Sequence, residues 1–516
     1  MITTFGIRSL TFNGTSGFLL NGKPHKINGC NIHHDHGPLG VATIDRAEER
    51  TIKIIKDAGF NAIRASHNPR SPYLPDVCDR LGMLVCNEFT DVWDIQKTAD
   101  DYHLYFPDWW QRDLTDMVLR DRNHPSVIIW SIGNEISEDP NKYGKRLADH
   151  VRSLDTSRPV ALGGMDVGKT KEAWEYVDIG DYHGLPTSSD HAAHPDKAFI
   201  QSEYPVTQMY DGWKLEQEAP WFVGCLIWSG WDYIGESGSG PAMIAHSRAE
   251  SVRFDVEIGP VTGKIPYPWF SNFQSDIDLI GQRKPQNYLR AVIHGNSVLE
   301  VLVERPTPSG TEQFAVAYGY YDELPSWTWD VPDGKLMTVH AYSSGDSVGL
   351  LLNDALFETK AITDADKRVA TFRVPYRPGK LSVIATKNGT EIGRRTLTTT
   401  GKPIGLRLTS DVKSLTTSRA DLAHVLVQVV DSHGQVVPDA VLKVSFQVNG
   451  AGKLIGVGNG NPHNVDSFQR PRRWTWHGAT LAILRPDKSP GKLSLTASAD
   501  GLTSAKLVLS VERSSK

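Results

Sequence analysis

Two glutamates stand where apolar runs break off. The run "SVIIWSIGNE" ends in Asn134 and Glu135, and "AFIQSEY" presents Glu203 just before its last residue. A pair of carboxylates at the ends of two buried strands can split an acetal. One is protonated and assists the leaving oxygen, while the other is ionised and attacks carbon. That is the two-carboxylate chemistry of glycoside cleavage. The charge split requires unlike surroundings. Arg64, in "FNAIRASHNP", is the cation expected to hold Glu203 charged, whereas Glu135, near a negative partner and partly desolvated, is expected to have a raised pKa.

Other chemistry-bearing residues close apolar runs in the same way. "KINGCNI" is followed by His33, His34, Asp35 and His36; Arg64 is followed by His67; "MLVCNEF" carries Glu88; "YVDIGDYH" ends in Asp181, Tyr182 and His183; and "FVGCLIWSGW" ends in Trp228 and Trp231 before Asp232. Asn134 suits a sugar 2-hydroxyl, and the two tryptophans suit the apolar face of a pyranose. Each residue alone is an ordinary rim or turn residue. The combination of "GNE", "SEY" and "RASHNP" is not. "HHDH" also invites a metal reading, but residues leaving a strand alternate sides, so His34 and His36 share a face without a third ligand. No metal and no other cofactor is expected.

These residues need elements to hold them on one rim. Between about Lys23 and Asn296 short apolar runs alternate with amphipathic segments, the pattern of βα units. Eight candidate strands occur, near Ile27, Ile63, Val85, Ile129, Ala161, Ile179, Ile200 and Leu226. Eight parallel strands close a (β/α)8 TIM barrel, whose active site lies at the C-terminal strand ends. Helical stripes lie between them: Ile52 and Ile55; Trp110, Leu114, Met117 and Val118; Tyr143, Leu147, Val151 and Leu154. After about Ser297 the texture changes to short alternating runs separated by Gly, Asp and Asn turns, which reads as β-sandwich. A second such set begins near Thr400. The expected class is therefore α/β followed by all-β. The expected division is residues 1–22 as the remnant strand of a missing N-terminal immunoglobulin-like domain, 23–296 as the barrel, 297–400 as an accessory sandwich and 401–516 as an immunoglobulin-like sandwich.

Composition bounds the partners. The 516 residues suffice for roughly three domains. With 55 basic against 60 acidic residues and no basic run, nucleic acid is an unexpected partner. The four cysteines, in apolar stretches with no C-x-x-C pair, read as buried thiols. No apolar run reaches the roughly 18 residues of a spanning helix, so no membrane partner is expected. "MITTFGIRSL" lacks the pattern of an export signal. As written the chain reads as cytoplasmic, the native compartment is left unknown, and a longer relative could be exported.

At "GFLLNGKPHKINGCNIHHDHGPLG", "GFNAIRASHNP", "CDRLGMLVCNEF", "RDRNHPSVIIWSIGNE" and "IQSEY" the sequence closely resembles glycoside hydrolase family 2, the β-galactosidases, β-glucuronidases and β-mannosidases. The resemblance covers essentially the whole chain. It implies Glu135 as acid/base and Glu203 as nucleophile, with substrate-site roles for His33, Arg64, His67, Asn134, Tyr182 and Trp228. "GDSVGLLLNDALFETK" and "VPYRPGKLSVIATKNGTEI" resemble the accessory sandwich of galactosidase-type members, and "VLVQVVDSHGQVVPDAVLKVSFQVNGAGKLIGVGNGNP" the immunoglobulin-like domain that often follows it.

Three departures qualify the carry-over. The family's usual N-terminal jelly roll and most of the next domain have no counterpart, which implies a shortened form; an incomplete N-terminal domain would expose apolar surface that favours self-association. The Glu-x-His ligand pair of magnesium-dependent galactosidases is absent from "NEFTDVWD". The Asn-x-Lys pair of glucuronidases is not reproduced in "DLIGQRKPQNYLR", where only Arg283 and Lys284 speak for an acidic sugar. The expected activity is thus a retaining exo-β-glycosidase on a carbohydrate substrate, a β-galactosidase first. β-Glucuronidase, β-mannosidase and arabinopyranosidase are the alternatives within the family. A truncated, non-catalytic sugar-binding remnant is the alternative outside enzymes. Retention of Glu135, Glu203 and Arg64 weighs against the remnant.

Overall fold

The computed structural model describes residues 5–136, 140–167, 171–251, 267–316 and 318–514; residues 1–4 of the N-terminal stretch lie outside them. The chain divides into two compact units, Met1–His34 with Glu48–Trp231, and Asp35–Ala47 with Asp232–Lys516.

The first unit holds eight parallel strands in one sheet: Ile27–Ile32, Ala62–Ala65, Leu84–Glu88, Val127–Asn134, Val160–Gly163, Gly180–Tyr182, Phe199–Tyr204 and Phe222–Ile227. They are called the first to eighth strands below. Consecutive strands are neighbours, and the eighth pairs with the first, Leu226 opposite Gly29. The fifth and sixth strands complete the ring through flanking backbone hydrogen bonds: Asp178 N–H donates to Val160 O and Met165 N–H to Asp181 O, each 2.9 Å. The sheet is a TIM barrel.

Helices cover the strands because both faces of a parallel strand must be buried. The fourth strand is buried at all eight positions. Asp45–Asp57, Tyr73–Leu81, Phe106–Asp121, Pro140–Leu154 and Met209–Glu218 are the longer helices between strands, and a 3₁₀ segment, Lys171–Glu175, lies between the fifth strand and the sixth. The fourth strand continues two residues past its apolar run, because Asn134 still pairs with Gly163. The site residue is thus part of the sheet rather than of a loop. Ahead of the barrel, Leu10–Asn13, Gly17–Leu20 and Lys23–Pro24 form a three-stranded antiparallel sheet. Its Phe18 is buried in one apolar cluster with Ile27, Ile129, Ile200 and Leu226. This segment therefore shares a core with the barrel strands.

The second unit contains two sandwiches. Leu299–Glu304, Leu336–Ser343 and Val369–Pro375, edged by Glu323–Leu324, face a sheet of Ser347–Leu352, Ala355–Ala361, Lys380–Lys387 and Thr390–Thr398. Both sheets contribute to one core around Trp327, Val339, Phe372 and Val383. The next sandwich sets Gly405–Ser410, Ala423–Val430, Gly452–Gly458 and Ala479–Pro486 against a five-stranded sheet that includes Lys443–Gly450 and Gly491–Ser498. Val425, Val427, Val444, Leu493 and Leu495 fill it. Strands such as Val369–Pro375 bury alternate residues, the period expected of sandwich strands.

Candidate active site

Arg64, the third residue of the second strand, is fully buried in the barrel. Its Nε and Nη2 donate to Glu88 Oε2 at 3.0 and 2.7 Å, Nη1 to Asn31 Oδ1 at 3.0 Å and to Glu203 Oε2 at 3.1 Å, and Nη2 to Asn134 Oδ1 at 2.7 Å. A buried charge is tolerable only when its donors are taken up by charged or polar acceptors. Here strands one, two, three, four and seven all meet on one guanidinium. Burial works against its charge, but Glu88 and Glu203 hold it charged, above its ordinary value.

Glu88 is the second anchor. It accepts from Arg64, from Ser131 Oγ at 2.7 Å, and through Oε1 from His67 Nδ1, also 2.7 Å. His67 is held neutral by burial, with Arg64 adding to the effect, so its Nδ1 carries the hydrogen and its Nε2 is a bare acceptor. The His67 ring lies parallel to Trp228 at 5.1 Å, and His33 meets both edge-on, at 5.6 and 5.2 Å. Burial lowers His33 to about 3. The three rings form an uncharged wall, suited to the C–H face of a sugar.

Glu135 follows the fourth strand with φ +45°, in the left-handed region that costs a non-glycine residue about 1–2 kcal/mol. Its N–H is bonded to Gly163 O at 2.9 Å, and His183 Nδ1 lies 2.8 Å from its Oε1. His183 Nε2 is 3.8 Å from Glu203 Oε2. One side-chain atom from each of Glu135, His183 and Glu203 can be chosen so that all three lie within 4.8 Å of one another. That spacing would admit a divalent cation, but Arg64 already supplies the positive partner of Glu203 and Nδ1 of His183 is committed to Glu135. The spacing would also let the three groups share a proton.

The charge arrangement differs from the one expected. The hydrogen bond from His183 lowers Glu135 to about 2, and Lys97, whose Nζ lies 3.9 Å from Glu135 Oε2, adds to the effect. Burial raises Glu203 in spite of Arg64 and His183. The expectation of a raised Glu135 considered its negative neighbour and not the imidazole between the two carboxylates. Asn134 is also more committed than expected. Its Oδ1 is taken by Arg64, and one Nδ2 hydrogen goes to Asp91 Oδ1 at 2.9 Å, which among the described residues leaves one hydrogen for a ligand.

Tyr182 is not brought to the carboxylates, contrary to its expected substrate role. Its ring packs edge-on against Trp174 and Phe199, and its hydroxyl points to Asp190. Successive strand residues face opposite ways, so Asp181 and His183 look into the barrel and Tyr182 looks out. Trp231, expected beside the sugar, lies under the Arg50 guanidinium of the first helix instead. Asp35 is occupied by backbone N–H groups of Gly37 and Ile234. Glu88 and His183 were expected on the rim but without a role in the site. Both stood at the ends of apolar runs, and strict period-two alternation along "DYH" would have favoured His183 over Tyr182.

Known proteins resemble this chain in sequence and in fold. The family model "Glycosyl hydrolases family 2, TIM barrel domain" matches residues 13–228, and "Glycoside hydrolase family 2 C-terminal domain 5" matches residues 406–508. Beta-galactosidase BoGH2A of Bacteroides ovatus is 31% identical, over 99% of this chain and 64% of its own length. A putative beta-glucuronidase of Formosa agariphila is 26% identical, over 96% of this chain and 49% of its own. A solved glycosyl hydrolase family 2 member from Bacteroides cellulosilyticus superposes with a TM-score of 0.91 at 36% identity, covering 98% of this chain and 65% of that one. The chain thus spans less than two thirds of the length of these relatives.

Proposed function

The chain belongs to glycoside hydrolase family 2, and from that premise we propose that it is a retaining exo-β-glycosidase acting on terminal β-galactosyl residues. The observation that carries the reading is the approach of an oxygen of Glu135 to one of Glu203 within 4.8 Å. A retaining pair is separated by about 5–5.5 Å, whereas an inverting pair stands about 6.5–9.5 Å apart to admit a water. Glu203, ionised against Arg64, attacks the anomeric carbon. Glu135 protonates the leaving oxygen and then takes a proton from the water that releases the sugar. The rings of His33, His67 and Trp228 flank the pyranose, and the remaining Asn134 amide hydrogen meets the 2-hydroxyl. The division of the chain at about residues 22, 296 and 400 is part of the same proposal.

Galactose is favoured over a uronic acid because the Asn-x-Lys pair of glucuronidases is not reproduced in "DLIGQRKPQNYLR", whose two cations are engaged by their own neighbours. Lys284 is buried against Asp232, 3.0 Å away, and Arg283 is engaged by Asn287 and by the Tyr288 ring. The test is release of nitrophenol from β-galactoside, β-glucuronide, β-mannoside and α-arabinopyranoside, with Glu135→Gln and Glu203→Gln alongside. Turnover of the galactoside, lost in Glu203→Gln, is the expected result. Turnover of another glycoside would change the sugar, and turnover of none would leave a sugar-binding remnant.

A further inference from the structure

His183 has no part in the two-carboxylate scheme, yet its imidazole is the group that joins the two carboxylates. Its position is built. The backbone N–H of His183 is held by Asp166 Oδ1 at 2.8 Å. Gly164, at φ +69°, lies so close behind the pair that a Cβ there would stand 2.9 Å from His183 Cε1 and 3.0 Å from Glu135 Cγ. Nδ1 is 2.8 Å from Glu135, whereas Nε2 is buried with no hydrogen-bond partner among the described residues and faces Glu203 at 3.8 Å.

We infer that His183 is where the catalytic proton rests in the free enzyme, and that it reaches the glycosidic oxygen by way of Glu135. The inference rests on the two-glutamate reading above. Glu135 is a poor resting place for the proton, because its carboxylate is bracketed by His183 on Oε1 and Lys97 on Oε2. The imidazole is a good one, since two carboxylates lie against it. The titration directions agree: Glu135 is lowered to about 2, and His183 is raised above 6.5 because Glu203 and Glu135 outweigh burial. The other charged or titratable groups near the ring are Arg64 and His67 from the second strand and its loop, Glu88 from the third strand, Asp166 after the fifth and Asp181 on its own strand. Arg64 opposes the raised value without reversing it.

The step balances. As Glu203 Oε bonds to C1 its negative charge is consumed, so the imidazolium loses one of the two carboxylates that hold its proton. Nδ1–H then breaks, the proton moves to Glu135 Oε1 and on to the leaving oxygen, and the C1–O electron pair departs with the aglycone. In the second half Glu135 takes a proton from water as the water attacks C1, Glu203 regains its electron pair, and the proton returns to His183. His183 touches no sugar in this scheme and acts through Glu135, as a positioning and proton-holding residue.

The test is the pH dependence of kcat/KM for wild type and His183→Asn on phenyl and 2,4-dinitrophenyl β-galactosides. The expected result is an alkaline limb that moves at least about one pH unit to lower pH in the variant, with a larger loss on the phenyl glycoside, which needs the acid. A uniform loss with the limb unmoved would overturn the inference and leave the glycosidase reading standing. A second readout does not depend on turnover, and its wild-type arm does not depend on any variant's folding. In ¹⁵N-histidine NMR of the whole wild-type chain, the His183 ring is expected to be protonated at neutral pH and to become neutral in Glu135→Gln. A neutral ring in wild type at that pH would overturn the inference even if no glycoside is cleaved.

Discussion

Nη1 of Arg64 lies 3.1 Å from Oε2 of Glu203, while Nη2 of the same guanidinium lies 2.7 Å from Glu88. One cation therefore fixes the candidate nucleophile against the polar interior of the barrel. Arg64→Met would strand Glu88 as a buried charge, and the expected loss of stability is about 3–5 kcal/mol. Adding Glu88→Gln should recover part of that loss. Urea unfolding of the single and double variants measures both. A single variant as stable as wild type would show that the network contributes no net stability.

Removing either glutamate should act on turnover rather than on folding. Glu203→Gln is expected to lower kcat by on the order of 10⁴-fold or more for every substrate. Glu135→Gln should cost about 10²–10⁴-fold on poor leaving groups, and much less on dinitrophenyl glycosides, which leave without a proton. Azide added to Glu135→Gln should trap a glycosyl azide of retained configuration. An azide of inverted configuration would exclude the covalent intermediate on Glu203.

Gly164 has a conformation and a setting that only glycine satisfies. Gly164→Ala is expected to cost about 1 kcal/mol through its positive φ. It should also lower kcat by about 10²-fold through displacement of His183 and Glu135. A thermal melt with steady-state kinetics separates the two effects. Full activity in a stable variant would show that the pair tolerates movement.

Tyr182 faces outward, so Tyr182→Phe removes only a 3.4 Å contact with Asp190. The change in kcat/KM should be no more than about twofold, as for a substitution at a site of little structural consequence. A tenfold or greater loss would return Tyr182 to the substrate site.

Acid should destabilise the fold well before the carboxylates titrate. Burial lowers His33, His294 and His477 each to about 3 from an ordinary value of 6.5. Between those limits the unfolded chain binds protons that the folded chain refuses, so stability rises with pH across that window. The contribution is complete above 6.5 and is lost as pH falls toward 3. Melting temperature measured down that range should fall, and His294→Asn should flatten the slope. A constant melting temperature would contradict the burial of these rings.

Much of the site was legible in the chain. An apolar run interrupted by Asn134 and Glu135, and another by Glu203, mark strand ends, and the repetition of such runs implies a barrel that gathers them. The two sandwiches follow from alternating burial and turn residues. Boundaries were less legible: the fourth strand continues through Asn134 because Gly163 on the next strand pairs with it, a fact held by no single segment.

What sequence alone determined is which residues could do chemistry and on which rim, because hydrophobic period and strand ends are local properties. Tertiary structure alone decided how the charges are shared. The pKa of Glu135 depends on an imidazole 48 positions along the chain, and that of Glu203 on burial opposed by a guanidinium 139 positions away. Electrostatic energy depends on distance in space and on the water excluded between groups. Neither quantity exists until the eight strands close.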